Sequence, residues 1–211
     1  IPPRVFPPNN PSTPFPKGPR VVFLAQLSIY PDIQGTVKLG KNAVAMDEEL
    51  EKLPQQAAQK VPENRRFFRK LRRKPPAKLD SLMQELHTEE FQRTDCLQCA
   101  NCCKTTGPLF TDADIRRISR HLRMKPSDFT SVYLREDEEG DLVLKELPCP
   151  FLGADNYCGI YQVRPRACRD YPHTDRRKFH QIHSLTMKNV AICPAAYRIV
   201  EELKRRLPEY L

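Results

Sequence analysis

Apolar positions along this chain fall mostly at helical spacing, in short stretches divided by proline. Residues 47–60 carry a weak helical pattern interrupted at Pro54, since proline removes a backbone donor and clashes with the preceding turn. Pro62 opens a second short helix, ENRRFFRKLRRK, with Phe67, Phe68 and Leu71 on one side, and Pro75-Pro76 breaks it. Residues 77–92 form a cleaner amphipathic helix with Leu79, Leu82, Met83, Leu86 and Phe91 inward. Thr111-Asp112-Ala113-Asp114 is a capping signal for a helix to about Met124 that carries Ile115, Ile118 and Leu122. Pro126-Ser127 starts another short helix, to about Leu134. A turn at 139–141 leads into a short strand, Leu142-Val143-Leu144. From 148 to 175 proline and cysteine punctuate the chain, which predicts loops with one short helix near 162–169. The last helix is expected over Pro194–Leu207, with Ala196, Ile199, Val200 and Leu203 inward.

Residues 1–45 show neither period. This Pro-rich stretch is expected to be a disordered extension or a non-native upstream segment, with Met46-Asp47-Glu48-Glu49 resembling a natural start. Residues 46–93 read as a helical region with a basic face, and 94–211 as a cysteine-cluster metal-binding domain ending in a helix. The predicted fold is mainly α: a small irregular domain of short helices and loops organised around Cys-ligated metal, with at most a short β-hairpin.

Composition explains why metal enters that expectation. Hydrophobic residues are 39% and charged residues 29%, with 21 Pro, 7 Gly and no Trp, which is thin material for a large apolar core. A structural zinc site can supply roughly 10–16 kcal/mol, comparable to the net stability of a whole domain. Four of the eight cysteines sit in eight residues: Cys96, Cys99, Cys102 and Cys103. Cys149, Cys158, Cys168 and Cys193 follow. Two residues between thiols let the backbone wrap one ion, and eight is the ligand count of two tetrathiolate ions or two cubane-type iron–sulfur clusters. No signal-peptide pattern is seen, and the apolar run VVFLAQLSIY is too short to insert in a membrane, so a reduced, cytoplasmic chain is expected.

Within the first cluster a continuous helix would keep Cys96, Cys99 and Cys103 within about 60° of one another and turn Cys102 about 120° from Cys96. In a loop, Cys102 and Cys103 would point apart. Both readings send one of that adjacent pair to a different site from its neighbour. Cys149 and Cys193 precede proline, a feature shared by ferredoxin-type clusters and zinc knuckles. Four thiolates on Zn2+ leave a net −2, which Arg164, Arg166 and Arg169 around Cys168 could offset; Arg166 and Arg169 are taken as the residues supporting the bound group. His173, His180 and His183 read as packing or solvent residues.

The net charge is +9. Arg65, Arg66, Arg69, Lys70, Arg72, Arg73, Lys74 and Lys78 concentrate it at 62–78, which fits an acidic protein, a nucleic acid or a solvated helix face. No RNA-binding signature accompanies them. P-loop, dinucleotide, G-x-S-x-G and Gly-rich methyl-donor motifs are missing as well, and no catalytic residue is assigned.

Taken together, C-x2-C-x2-C-C at 96–103, Cys149-Pro150-Phe151-Leu152, and Cys158-Gly-Ile-Tyr-x2-Arg-Pro-x2-Cys168-Arg-x-Tyr-Pro resemble the YkgJ-like cysteine-cluster family. The resemblance spans about 94–194. It implies a zinc- or iron-chelating domain with Cys96, Cys99, Cys102, Cys103, Cys149, Cys158 and Cys168 on the family's cysteine positions, and Cys193 on a late Cys-Pro. A related group with this pattern includes flagellin lysine N-methylase, reported to carry an iron–sulfur cluster, so the resemblance also admits a protein-modifying enzyme. A zinc-stapled adaptor for nucleic acid or protein is the third reading. Between the metals, the C-x2-C-x2-C spacing with a remote Cys-Pro echoes ferredoxins and tilts toward iron–sulfur.

Overall fold

A computed structural model describes residues 41–211, so the expectation for the Pro-rich stretch to residue 40 lies outside the described residues. The fold is mainly helical with a single two-stranded hairpin among those residues.

Helix α1 (Lys41–Arg73) runs unbroken through Pro54 and Pro62, where the sequence pattern predicts two separate pieces. An interior proline costs about 3 kcal/mol. Both prolines are exposed, so each carbonyl that loses its donor four residues upstream can turn toward water. The opposite side of the helix buries Leu53, Ala57, Asn64, Phe67, Phe68 and Leu71, and at roughly 2 kcal/mol per large buried side chain this packing outweighs the two breaks. Pro75-Pro76 does end α1, as expected.

Helix α2 (Leu79–Arg93) buries Leu79, Met83, Leu86 and also Glu90. Helix α9 (Pro194–Arg206) lies against α1, α2 and α8 (His183–Asn189), and buries the four apolar residues its pattern predicts. These helices share one core. Phe67 and Phe68 meet edge-on with ring centroids 5.5 Å apart, and Phe68 lies 6.2 Å from Phe179.

The second core is smaller. Helix α5 (Asp112–His121) starts on the Thr111/Asp114 capping box, and Pro126 opens α6 (Pro126–Tyr133). Strands β1 (Leu134–Glu136) and β2 (Leu142–Leu144) pair antiparallel with Leu134 opposite Leu144, both inward. Gly140, at φ 82°, supplies the positive backbone angle of the connecting turn. Phe129 packs between Phe110 and Phe151, stacking on the latter at 6.2 Å, and Cys149 and Cys158 flank this cluster. No helix of the described residues is long and apolar enough to cross a membrane.

Candidate metal centre

Cys96 is exposed, and the other seven cysteines are half-buried. The first four lie on two turns, α3 (Cys96–Cys99) and α4 (Asn101–Thr105). Ala100 N–H donates to Cys96 O at 2.8 Å and closes the first turn. Ala100 then takes left-handed backbone, φ 46° and ψ 14°, a conformation that ends a helix. The segment is therefore neither one helix nor a loop, and the angular count from Cys96 does not carry through to Cys102 and Cys103.

Two tethers leave α4. The Asn101 side-chain amide donates to Ile192 O at 2.7 Å, seating Cys102 beside the residue before Cys193. On the other side, Cys149 N–H donates to Cys103 O at 2.8 Å. Cys149 and Cys158 are drawn together by a tight turn: Leu152 bridges Cys158, and Gly159 N–H donates to Phe151 O at 2.8 Å. Helix α7 (Arg166–Asp170) carries Cys168 and is pinned to α5. Asp114 accepts from Arg166 N–H at 3.1 Å, and Arg117 donates to Arg164 O at 2.9 Å and Val163 O at 3.3 Å.

The thiols feel one another along the same lines. Burial pushes Cys193 up to about 12, and the charges of Cys96 and Cys99 add to the rise. Burial likewise raises Cys149 to about 11, helped by Cys103 and Cys158, and Cys168 to about 12, helped by Cys103, Cys149 and Cys158. Cys102 and Cys103 hydrogen-bond to each other; the bond raises Cys102 and lowers Cys103, with burial adding to the former and opposing the latter. Cys102 also feels Cys193 and Cys96.

Several sulfurs already receive backbone N–H donors. Ala196 N–H points at Cys193 Sγ from 3.4 Å, and Ala195 contributes as well. Cys99 receives Asn101, Cys149 receives Phe151 and Leu152, and Cys158 receives Ile160. Donors two and three residues downstream of a cysteine favour its thiolate form. That donor set fits a thiolate-bound metal or cluster. Among the described residues, no group of three or more His, Cys, Asp or Glu side chains stands together at metal-holding distances. What is arranged is the backbone; rotation about χ1 moves each sulfur among staggered positions.

The charges around α7 differ from expectation. Arg166 is exposed and pairs with Asp170 at 3.1 Å, and Arg169 is also exposed. Arg164 is the half-buried one: it stacks over the Tyr161 ring at 3.8 Å, and its charge acts on Cys158 and Cys168. The intervening prolines and turns set which arginine faces inward, and spacing alone does not show it. Burial lowers His173, and His183 Nδ1 is buried without a partner.

Residues unmarked by sequence complete the surroundings. Tyr171 places a buried hydroxyl with no hydrogen-bond partner where burial first, then the charges of Cys193, Cys102, Cys99 and Cys103, push its ionisation up. Glu90, almost fully buried, accepts from Arg198 Nε and Thr94 Oγ1, each at 2.7 Å, and from Arg93 Nε at 2.8 Å. Arg198 also bonds Glu49, so α1, α2 and α9 meet at the stem of the cysteine segment. A surface groove of about 240 Å3 beside this network is lined by Glu90, Arg93, Arg198, Glu202 and Arg205 among others, and by no cysteine. The basic residues of 62–78 are exposed along α1 and just beyond it, and Lys70, Arg72 and Arg73 complement the partial negative charge of its C-terminus.

Residues 95–193 match a family model described as "CxxCxxCC: Putative zinc- or iron-chelating domain". This segment is similar to that family over a little under half of the chain. Comparison with curated proteins and with solved structures gives no significant match. The matched segment contains all eight cysteines, with Cys193 as its last residue, and leaves α1, α2 and α9 outside.

Proposed function

We propose that this chain is a cytoplasmic metal-binding protein whose eight cysteines hold zinc or an iron–sulfur centre, in a structural, metal-handling or electron-transfer role. The observations that carry this reading are the Ala196 N–H aimed at Cys193 Sγ from 3.4 Å and the backbone tethers that draw Ile192-Cys193 and Cys149 to the first cysteine run. A thiol in a packed interior has no need of such a donor, whereas a thiolate bonded to an ion is stabilised by one. The groove beside Glu90 is lined by paired charges such as Glu90 with Arg93 and Arg198. A bound zinc would supply cross-links; a cluster would in addition supply one-electron transfer.

The C-x2-C-x2-C spacing and late Cys-Pro lean toward iron–sulfur. Anaerobic isolation from the chain's own cell, with metal and sulfide analysis, tests the reading. A coloured protein with iron and acid-labile sulfide supports a cluster, and a colourless one with about two zinc ions supports tetrathiolate sites. A freshly isolated, folded, metal-free chain with its cysteines joined as disulfides would overturn it.

A further inference from the structure

We infer that the eight thiols divide between two abutting four-cysteine sites, Cys96, Cys99, Cys102 and Cys193 forming one and Cys103, Cys149, Cys158 and Cys168 the other. This rests on the metal-binding reading above and specifies how that reading is built.

The division follows from the backbone. Cys96 and Cys99 occupy one closed turn, which presents two sulfurs from one loop as C-x2-C ligands do. The left-handed Ala100 then restarts the chain, so the next two cysteines need not continue the first turn. Asn101, the first residue of α4, binds Ile192 O and ties the first turn's neighbourhood to Cys193. Cys103 is instead joined through its own carbonyl to Cys149. From Cys149 the Leu152–Cys158 bridge leads to the second cysteine of that turn. The Asp114–Arg117 clamp then fixes the start of the helix carrying Cys168.

A sequence-local alternative would place all of Cys96, Cys99, Cys102 and Cys103 on one ion and leave Cys149, Cys158, Cys168 and Cys193 for the other. That arrangement requires the Cys103 sulfur to turn away from Cys149, to which its backbone is bonded. It also leaves Cys193 to reach the Cys149 turn, to which no tether joins it among the described residues. Cys102 and Cys103 are consecutive in α4, which makes the two sites neighbours. Four thiolates at each site would satisfy one tetrahedral ion apiece.

The test uses the wild-type full chain reconstituted with Zn2+ alone. A chelator removes zinc stepwise while an alkylating reagent caps each released thiol, and peptide mass spectrometry identifies the capped cysteines. At half-removal the division predicts molecules capped at Cys96, Cys99, Cys102 and Cys193 together, or at Cys103, Cys149, Cys158 and Cys168 together. Capping of Cys102 and Cys103 as members of one set, or random mixing across sets, overturns it. As a second measurement, Cys193→Ser should halve the zinc content and leave Cys103, Cys149, Cys158 and Cys168 protected from alkylation. Retention of both ions, or exposure of the second set with its zinc lost, counts against the division. A chain that takes up no zinc and whose native form holds no metal defeats the metal-binding reading itself, and the division falls with it. Bound zinc with mixed sets defeats only the division.

Discussion

Tyr171 is the residue whose environment asks most directly for a partner. Its hydroxyl is buried without a hydrogen bond, close enough to Cys193, Cys102, Cys99 and Cys103 to feel their charge. An unmet buried hydroxyl costs about 1–3 kcal/mol, and a thiolate sulfur beside it would accept a hydrogen bond from it. Tyr171→Phe is therefore expected to act in opposite directions on the two forms of the protein. Zinc retention against a competing chelator should fall roughly 10-fold, while the metal-free chain should unfold at the same denaturant concentration or slightly higher. Equal zinc retention by the two proteins would show that the phenol does not serve the sulfurs. Glu90 poses the opposite case, a buried charge that is fully met. Burial pushes its carboxyl up, and hydrogen bonds from Thr94, Arg93 and Arg198 outweigh burial and hold it below the ordinary 4.5. Because the folded value is depressed, its contribution is present above the unfolded value and is lost as pH falls through the folded one. Glu90→Ala should cost about 3 kcal/mol near neutral pH, since Arg198 keeps only part of its pairing. In urea titrations run at falling pH, Glu90→Gln should lose less stability below pH 4.5 than the wild type. Parallel curves for the two proteins would remove Glu90 from the acid response.

At the scale of elements, periodicity makes some parts legible and hides others. The apolar faces of α2, α5 and α9 stand in the sequence because each helix buries one stripe against one neighbour, and Ala196, Ile199, Val200 and Leu203 are all inward. The continuity of α1 could not be read, because Pro54 and Pro62 are tolerated only through packing contributed by distant residues such as Phe179 and Leu203. The cysteines as chemically special residues are equally plain in the sequence. Which guanidinium faces the thiols is not, since Arg164 rather than Arg166 or Arg169 turns inward on the strength of its stacking on Tyr161 and its bond to Tyr161 O. Asp114 shows how one residue can carry a visible role and a hidden one. It caps α5 by a local rule, and the same carboxylate accepts Arg166 N–H from the start of α7. Asp114→Asn should keep much of the cap, which asparagine also supplies, but weaken the clamp to Arg117 and Arg166 by about 1–3 kcal/mol. The expected signature is local: faster alkylation of Cys168 in the metal-free chain, with Cys96 and Cys193 unchanged. Uniform acceleration at all three would mean that Asp114 supports the fold as a whole rather than the Cys168 turn.

The whole molecule joins a helical core with enough apolar mass of its own to a second core that is smaller and flanked by cysteines. The first gathers Phe67, Phe68, Leu71, Met83, Phe179, Ile199 and Leu203, and holds the buried Lys204 by a bond to Asn64 at 2.9 Å and by pairing with Glu63 and Glu201. The second rests on a few aromatics, with Phe129 at the centre and the Cys149 and Cys158 turn packed against it. Burial of that size offsets little of the backbone entropy of the loops it must order, at about 1–2 kcal/mol per residue. The two cores should therefore respond differently to loss of metal. After zinc is chelated from a zinc-loaded chain, amide hydrogen exchange should speed up in β1, β2 and residues 149–168 by one or more orders of magnitude, because a few kcal/mol of lost local stability corresponds to that change (about 1.4 kcal/mol for each factor of 10). Amides of Ile199, Val200 and Leu203 in α9 should keep most of their protection, since their neighbours in α1 and α2 do not depend on sulfur. The stem of the cysteine segment lies between these extremes: Thr94 is held by Glu90 and Arg198, while Cys96 two residues later is exposed. Protection should then fall off sharply after Thr94. Equal loss across α9 and the β-hairpin would show a single cooperative unit in which metal holds everything, and no loss anywhere would show that the second core is complete without it.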